Sequence, residues 1–327
     1  MSVVDDYATC LAKLRTDTSP ARWSAKTRHR APHKPLLLLA LMDLLAEGSI
    51  TANLIELTPD LGELFTLYWA QVMPPDRQGN LALPFFHLQS DGFWHLMPRP
   101  GNEAFLAAAR QIRSIIQLRD TILGARLDEE LYQLLRSEES RDLLRTVLIQ
   151  TYFAAEARQA LAEQGAINLE SFRYSQKLLE QARTQQVKEG LANEDTHRSA
   201  ARDQGFRRAV VTAYDHRCAL CGIRMLTPDG HTAVDAAHIV PWSVSRNDDP
   251  RNGMALCRLC HWTFDEGLIS ISSRYEVITS PQLTTGQNVP GHLLALDNQG
   301  IIGPSERPLW PDGKALNWHR RNVFRKR

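Results

Sequence analysis

From Pro35 to Leu45 every position is apolar except Asp43. A helix that is apolar all round has to be enclosed all round, so this run predicts a core helix begun after Pro35. Proline suits a first helical turn, where its missing N–H would be unpaired anyway. Leu61, Leu64, Phe65, Tyr68, Trp69 and Val72 then follow the three-four spacing of a helix with one buried face. Between Leu83 and Met97, two aromatic-rich runs flank Asp91-Gly92, the pattern of a β-hairpin. Further helices are predicted over Glu103 to Leu118, Asp128 to Leu135 and Arg141 to Glu163.

From Arg173 to Arg198 the chain turns polar, rich in Gln, Glu and Lys with few apolar anchors, and reads as a helical linker. Beyond it, Phe206, Val210, Ala213 and Tyr214 recur at helical spacing with Arg202, Arg207 and Arg208 on other faces. Short strands are expected at Ile269 to Ile271 and Tyr275 to Ile278, and a basic terminal helix at Leu316 to Arg327. The fold class is α+β. A mainly helical domain with a hairpin spans residues 1–165, a helical linker 166–198, and a second domain 199–327.

Composition narrows this little. The chain has 327 residues, 43% hydrophobic and 23% charged, with a net charge of +1. That is ordinary for globular domains, and no overall basicity announces a polyanionic partner. The cations are local: Arg28, Arg30 and Lys34; Arg198, Arg202, Arg207 and Arg208; and Arg320, Arg321, Arg325, Lys326 and Arg327. Each cluster alone reads as a solvated face. The first cluster and the apolar run behind it imitate a secretory signal, but Asp5, Asp6 and Asp17 precede it. Asp43 interrupts it, and Glu47-Gly48-Ser49 offers no cleavage site. The run is also well short of the roughly 20 residues of a membrane span. A cytoplasmic protein with no membrane partner is expected.

Cysteine spacing carries the first chemistry. Cys218-x-x-Cys221 and Cys257-x-x-Cys260 each present two thiolates to one tetrahedral ion, and together they predict a closed structural zinc site; Cys10 stands apart. Paired knuckles in a cytoplasmic protein argue against disulfides. Four thiolates leave no open position for a substrate, so reactivity is sought in the insert.

That insert holds VDAAHIVPW from Val234, then NGMALC from Asn252, and the second knuckle runs into CHWTFDEG from Cys260. In this order the elements resemble the HNH (ββα-metal) endonucleases, specifically those clasped by two C-x-x-C knuckles. The resemblance implies phosphodiester hydrolysis with His238 as general base, at the end of a first strand. Histidine suits that role because it titrates near neutral pH. It also implies that Asn252 pins the loop behind His238, and that His261 binds a catalytic divalent metal, Mg²⁺ or Mn²⁺. Many family members place a second metal ligand immediately before the base, where this chain has Ala237. Asp235 and Asp265 are the alternatives, with Asp235 ranked ahead because alternate residues of a strand share a face.

A nuclease core implies DNA for the cations to meet. RHRAPHKPLLLLAL, from Arg28, and PFFHLQSDGFW, from Pro84, resemble the sulfur-binding domain of McrA-type, type IV HNH restriction endonucleases. The implied partner is double-stranded phosphorothioate-modified DNA. Sulfur in place of a phosphate oxygen keeps the charge but is larger, softer and less hydrated. A reader therefore offers an apolar dimple, from Pro84 with Leu83 or Phe85, ringed by Arg28, His29 and Arg30. His87 and Arg110 are further candidates, and Arg207 and Arg208 are expected near phosphates of the cut site. Two rival readings stand beside this one. The nuclease could read a methylated base in a cage of Phe85, Phe86, Phe93 and Trp94, or an unmodified sequence. Alternatively, the chain could be a non-catalytic zinc-containing DNA-binding protein. Cutting both strands needs two sites or two visits, which makes a homodimer a candidate assembly.

Overall fold

The computed structural model describes residues 2–184, 196–227 and 230–326. The chain divides into two compact units, Met1–Leu169 with Thr227–His231, and Glu170–Leu226 with Thr232–Arg327.

The first unit contains α1 (Val3–Leu11), α2 (His33–Ala46), α3 (Pro59–Val72), α4 (Ala82–His87), β1 (Trp94–Pro98), α5 (Glu103–Ala108), α6 (Ile115–Thr121), β2 (Ile122–Leu127), α7 (Glu129–Arg136), α8 (Glu138–Tyr152) and the start of α9 (Ala155–Arg183). Helix α2 is the centre of its core, buried from Lys34 through Leu45. It starts at His33, ahead of Pro35 rather than after it, with Pro32 at the N-cap and Pro35 inside the first turn. The missing N–H costs nothing there, since the first-turn donors have no intrahelical acceptor. Leu61, Leu64, Phe65, Tyr68, Trp69 and Val72 form the buried face of α3. Asp43, the one polar position in the α2 run, accepts hydrogen bonds from Tyr68 Oη (2.8 Å), Asn168 Nδ2 (2.7 Å) and Arg145 Nη2 (2.6 Å). One carboxylate thus ties together α2, α3, α8 and α9.

Three local expectations are corrected. Leu83–Met97 is not a hairpin: residues 82–87 are helical, and β1 pairs antiparallel with β2, Trp94 opposite Leu127. Leu81, Phe85 and Leu88 bury one helical stripe. Gly92, at φ 94°, ends the following 3₁₀ turn instead of turning a ribbon. Asp91 is held in place by Lys34 Nζ (2.6 Å) and the Arg15 amide (2.8 Å). The helix expected over Glu103 to Leu118 is broken between α5 and α6. Ser114 there caps a new helix by accepting from the Gln117 amide, and Ile112 is buried in the intervening loop. The helix expected over Arg141 to Glu163 starts at Glu138 and breaks at Phe153, whose extended backbone places its ring in the core.

The second unit holds the rest of α9, then α10 (Thr196–Ala213), β3 (Val234–His238), α11 (Trp242–Ser245), β4 (Gly253–Cys257), α12 (Arg258–Asp265), β5 (Ile269–Ile271), β6 (Val277–Thr279) and α13 (Gly313–Asn322). The stretch read as a linker is helical through Arg183. Leu178, Leu179 and Ala182 are buried in this unit's core; residues 185–195 and the side chain of Arg198 lie outside the described residues. Helix α10 buries Phe206, Val210 and Val211, with Tyr214 just beyond its end. Strands β3 and β4 pair antiparallel, His238 opposite Gly253 and Val234 opposite Cys257, and α12 follows directly to complete a ββα unit. The terminal helix is shorter than expected, ending at Asn322. Arg320 and Arg325 of its basic cluster bind the Ile271 carbonyl and Glu266; Arg327 is not among the described residues. Among those residues, no helix is long and apolar enough to cross a membrane.

Candidate active site

The two cysteine pairs meet. The ligand atoms of Cys218, Cys221, Cys257 and Cys260 all lie within 4.8 Å of one another, and Cys221 Sγ is 3.7 Å from Cys257 Sγ. A tetrahedral zinc with Zn–S bonds of about 2.3 Å requires sulfur–sulfur edges of about 3.8 Å. The donor set therefore fits a closed zinc site. Gly222 turns the first knuckle at φ 74°, a left-handed conformation that a side chain would strain.

Beside this clasp, His238 closes β3. Its ring lies flat on Phe206, centroids 3.9 Å apart, and its Nε2 is 2.9 Å from Asp248 Oδ1. Asp248 is 3% exposed. Its second oxygen accepts from Tyr174 Oη at 3.1 Å and lies 3.5 Å from Arg202 Nε. The Arg202 guanidinium covers the Trp242 ring at 3.8 Å. Asn252, also buried, donates through Nδ2 to the carbonyls of Val240 and Asn247 and accepts from the Val240 amide, each at 3.0 Å. It clamps the loop that follows His238. On α12, His261 and Asp265 stand one turn apart, with Nε2 and Oδ2 3.4 Å apart. Burial pushes the Asp265 carboxyl up, the His261 ring opposes this, and Glu266 adds to it.

His238, Trp242, His261, Asp265 and His319 open onto one pocket of about 340 Å³. His319 is a fixture of its wall. It is buried and stacked on Phe264, with Nδ1 2.8 Å from Ser270 Oγ and Nε2 3.0 Å from the Phe264 carbonyl.

Asp235 is not part of this pocket, which reverses the expected order of the two carboxylates. Its side chain is 60% exposed and bonds Arg207 Nε at 3.0 Å. Strand alternation is the reason: Asp235 and Ala237 lie on one face of β3, whereas Ala236 and His238 face the pocket. Asp265 is the carboxylate beside His261. Sequence reasoning also passed over Asp248, although a general-base histidine needs an acceptor for its second ring nitrogen. The Asp248-Asp249 pair shortly before Asn252 was the available signal.

In the first unit, Arg28 and His29 are exposed and both left-handed, at φ 48° and 55°. Arg28 Nη1 binds the Thr151 carbonyl at 3.2 Å, and His29 Nδ1 lies 2.9 Å from the Trp23 carbonyl. The loop is thus pinned rather than loose, and Arg30 follows it half-buried. Lys34 leaves the expected cation surface: it is buried against Asp91 and Ser90. The dimple also changes. Phe85 is 0% exposed and edge-on to Trp94, and Pro84 is buried, so neither ring is an exposed platform. Because α4 is a helix, Leu83 and His87 fall one turn apart, and both are half-buried. Phe86, Phe93 and Trp94 are core residues too, which removes the aromatic cage that a base reader would need. Arg110 is exposed. Arg207 is engaged by Asp235, and Arg208 lies over Phe172 at 4.8 Å.

Comparison with known proteins agrees with this division. The family model of the ScoMcrA-like DNA sulfur-binding domain matches residues 11–168, and that of the HNH endonuclease matches residues 218–272. No curated protein matches the chain. A solved structure described as a modification-dependent TagI restriction endonuclease is 24% identical over 36% of this chain, with a TM-score of 0.27. This chain spans 37% of that protein's length, and so loose a superposition carries no argument. The chain therefore carries an HNH endonuclease domain, with the ββα geometry of β3, β4 and α12, behind a ScoMcrA-like DNA sulfur-binding domain.

Proposed function

We propose that this protein is a modification-dependent restriction endonuclease that binds phosphorothioated double-stranded DNA and hydrolyses nearby phosphodiester bonds. The observation that carries the reading is the convergence of His238, His261 and Asp265 on one pocket, in a chain whose other half matches a DNA sulfur-binding model.

His238 takes the proton of the attacking water, and Asn252 keeps the loop behind it from swinging the ring away from the scissile phosphate. His261 and Asp265 are the side chains that hold the catalytic cation, Mg²⁺ or Mn²⁺. Such an ion supplies Lewis-acid neutralisation of the phosphoryl and leaving oxygens. Cys218, Cys221, Cys257 and Cys260 hold zinc as a clasp and take no part in the chemistry.

For the mark, the left-handed Arg28-His29 pair and Arg30 supply cations to the phosphates and donors to guanine edges. Lys34 fastens the start of α2, just after these residues, to Ser90 and Asp91, and Ser90 Oγ in turn caps the His87 carbonyl. Leu83 and His87 then offer the soft, poorly hydrated surface that sulfur prefers, with Arg110 as an outlying cation. Two strands require two cuts, which a homodimer would deliver in one encounter. The proposed compartment is the cytoplasm, where the DNA is.

Gel shifts with matched phosphate and phosphorothioate duplexes test the specificity, with tighter binding of the sulfur duplex expected. Equal affinity for the two would reject the sulfur reading. Cleavage of modified plasmid is expected to vanish in His238→Ala, and cutting that survives in this variant would sink the assigned mechanism.

A further inference from the structure

We infer that Asp248 is a positioning residue for His238, fixing the ring so that Nδ1 presents its lone pair to the attacking water. The inference rests on the nuclease reading above and goes beyond it, because that reading leaves open what determines the state of the base.

An imidazole has two nitrogens, and in the neutral ring only one carries a proton. A base that serves both tautomers equally is in the wrong one part of the time. Here the choice is made by geometry. His238 Nε2 is 2.9 Å from Asp248 Oδ1. Asp248 is 3% exposed, and its other oxygen faces the Tyr174 hydroxyl at 3.1 Å and Arg202 Nε at 3.5 Å. A carboxylate surrounded by donors acts as an acceptor, so the proton of His238 sits on Nε2. Nδ1 is then the basic nitrogen. When the water oxygen bonds to phosphorus, the bond from phosphorus to the 3′-oxygen breaks and that oxygen leaves, taking a proton from solvent. The proton of the attacking water passes to Nδ1 while the Nε2 proton stays on Nε2, shared with Oδ1, and the positive charge formed on the ring lies beside a buried negative one.

The supports of Asp248 come from three parts of the second unit. Tyr174 projects from α9 and Arg202 from α10, while Asp248 itself sits in the loop that Asn252 clamps through the Asn247 carbonyl. Arg202 is itself braced, by Asp203 and by the face of Trp242. Phe206 fixes the plane of His238 by stacking at an interplanar angle of 8°. Ring plane and ring protonation are therefore set by different neighbours, Phe206 and Asp248.

The test compares the zinc-loaded full chain with Asp248→Ala and the near-isosteric Asp248→Asn, using phosphorothioated and unmodified plasmid with Mn²⁺. Cleavage kcat is expected to fall by about 100-fold or more, with zinc content and DNA affinity unchanged. A purely structural role would not set the ring tautomer, so ¹⁵N spectra of ring-labelled histidine supply the second readout, with His238 assigned by comparison with His238→Ala. Wild-type His238 is expected as the Nε2-protonated tautomer, and Asp248→Ala as a tautomer mixture. Wild-type kcat in either folded variant, or wild-type His238 protonated on Nδ1, would overturn the inference. Should Asp248→Ala fail to fold, Asp248→Asn and the wild-type spectrum still decide. The two readings fail separately. Cutting that survives His238→Ala defeats the nuclease mechanism, whereas cutting lost in His238→Ala but kept in both Asp248 variants defeats only the positioning role.

Discussion

Replacing Asp43 with Ala should destabilise the first unit severely, although the substitution makes the α2 run more hydrophobic. Asp43 is 1% exposed. It receives Tyr68, Asn168 and Arg145, and Arg145 Nη1 also donates to Tyr68 Oη at 2.9 Å. Gln164 extends the network by donating to Asn168 Oδ1 at 2.7 Å. Burial pushes the Asp43 carboxyl up, and Arg145 with the other donors opposes that. Removing the carboxylate leaves a largely buried guanidinium without its counter-charge, which costs about 3–5 kcal/mol. Against a total stability of about 5–15 kcal/mol for a domain, that is a large fraction. Urea unfolding followed by tryptophan fluorescence measures it, since Trp69 and Trp94 are buried in the same core. The double variant Asp43→Ala/Arg145→Ala should cost much less than the sum of the two single variants, because the second change removes the orphaned charge. A loss below about 1 kcal/mol for Asp43→Ala, or strict additivity in the cycle, would refute the account of this network as one unit.

Two further predictions concern the second unit. Burial holds the His319 ring down at about 4, with the Phe264 carbonyl opposing and Arg320 adding to the depression. Between pH 6.5 and 4 the unfolded chain therefore binds a proton that the folded chain refuses, so acidification through that window removes about 3 kcal/mol of stability. His319→Phe should be less stable near pH 7 but show a shallower loss on acidification in pH-dependent thermal melts. An unchanged slope would contradict the assignment. Metal analysis should find one zinc per chain, and strong chelation or Cys257→Ser should lower the melting temperature of the nuclease domain, because metal binding is coupled to folding in such sites. Metal-free protein of unchanged stability would count against the clasp.

Much of this was legible without coordinates. The uniform apolarity around Asp43 already required a fully enclosed α2, because exposing any face of it would leave leucines in water. The two knuckles and the order of His238, Asn252 and His261 carried a resemblance to the HNH endonucleases that implied a ββα site, because the motifs of that family are local in sequence. Other features were out of reach because they depend on residues far apart in the chain. Asp43 looks like a flaw in an apolar run until Tyr68, Arg145 and Asn168 arrive from three other helices. The aromatic run before Asp91-Gly92 was misread as half of a hairpin, because short apolar runs fit a strand as well as a helix, and Gly92 can end either. Only the packing of Leu81, Phe85 and Leu88 settled it, and with it the burial of Pro84. Of the two candidate carboxylates, the sequence favoured Asp235, the one that lies outside the pocket. Strand alternation turned Asp235 toward Arg207, and the helical turn put Asp265 beside His261. The chain by itself determined which chemistry it carries, since residue types and local spacing are inherited directly from the sequence. The tertiary structure decided which copies of that chemistry meet, because burial and facing depend on neighbours that local spacing does not encode.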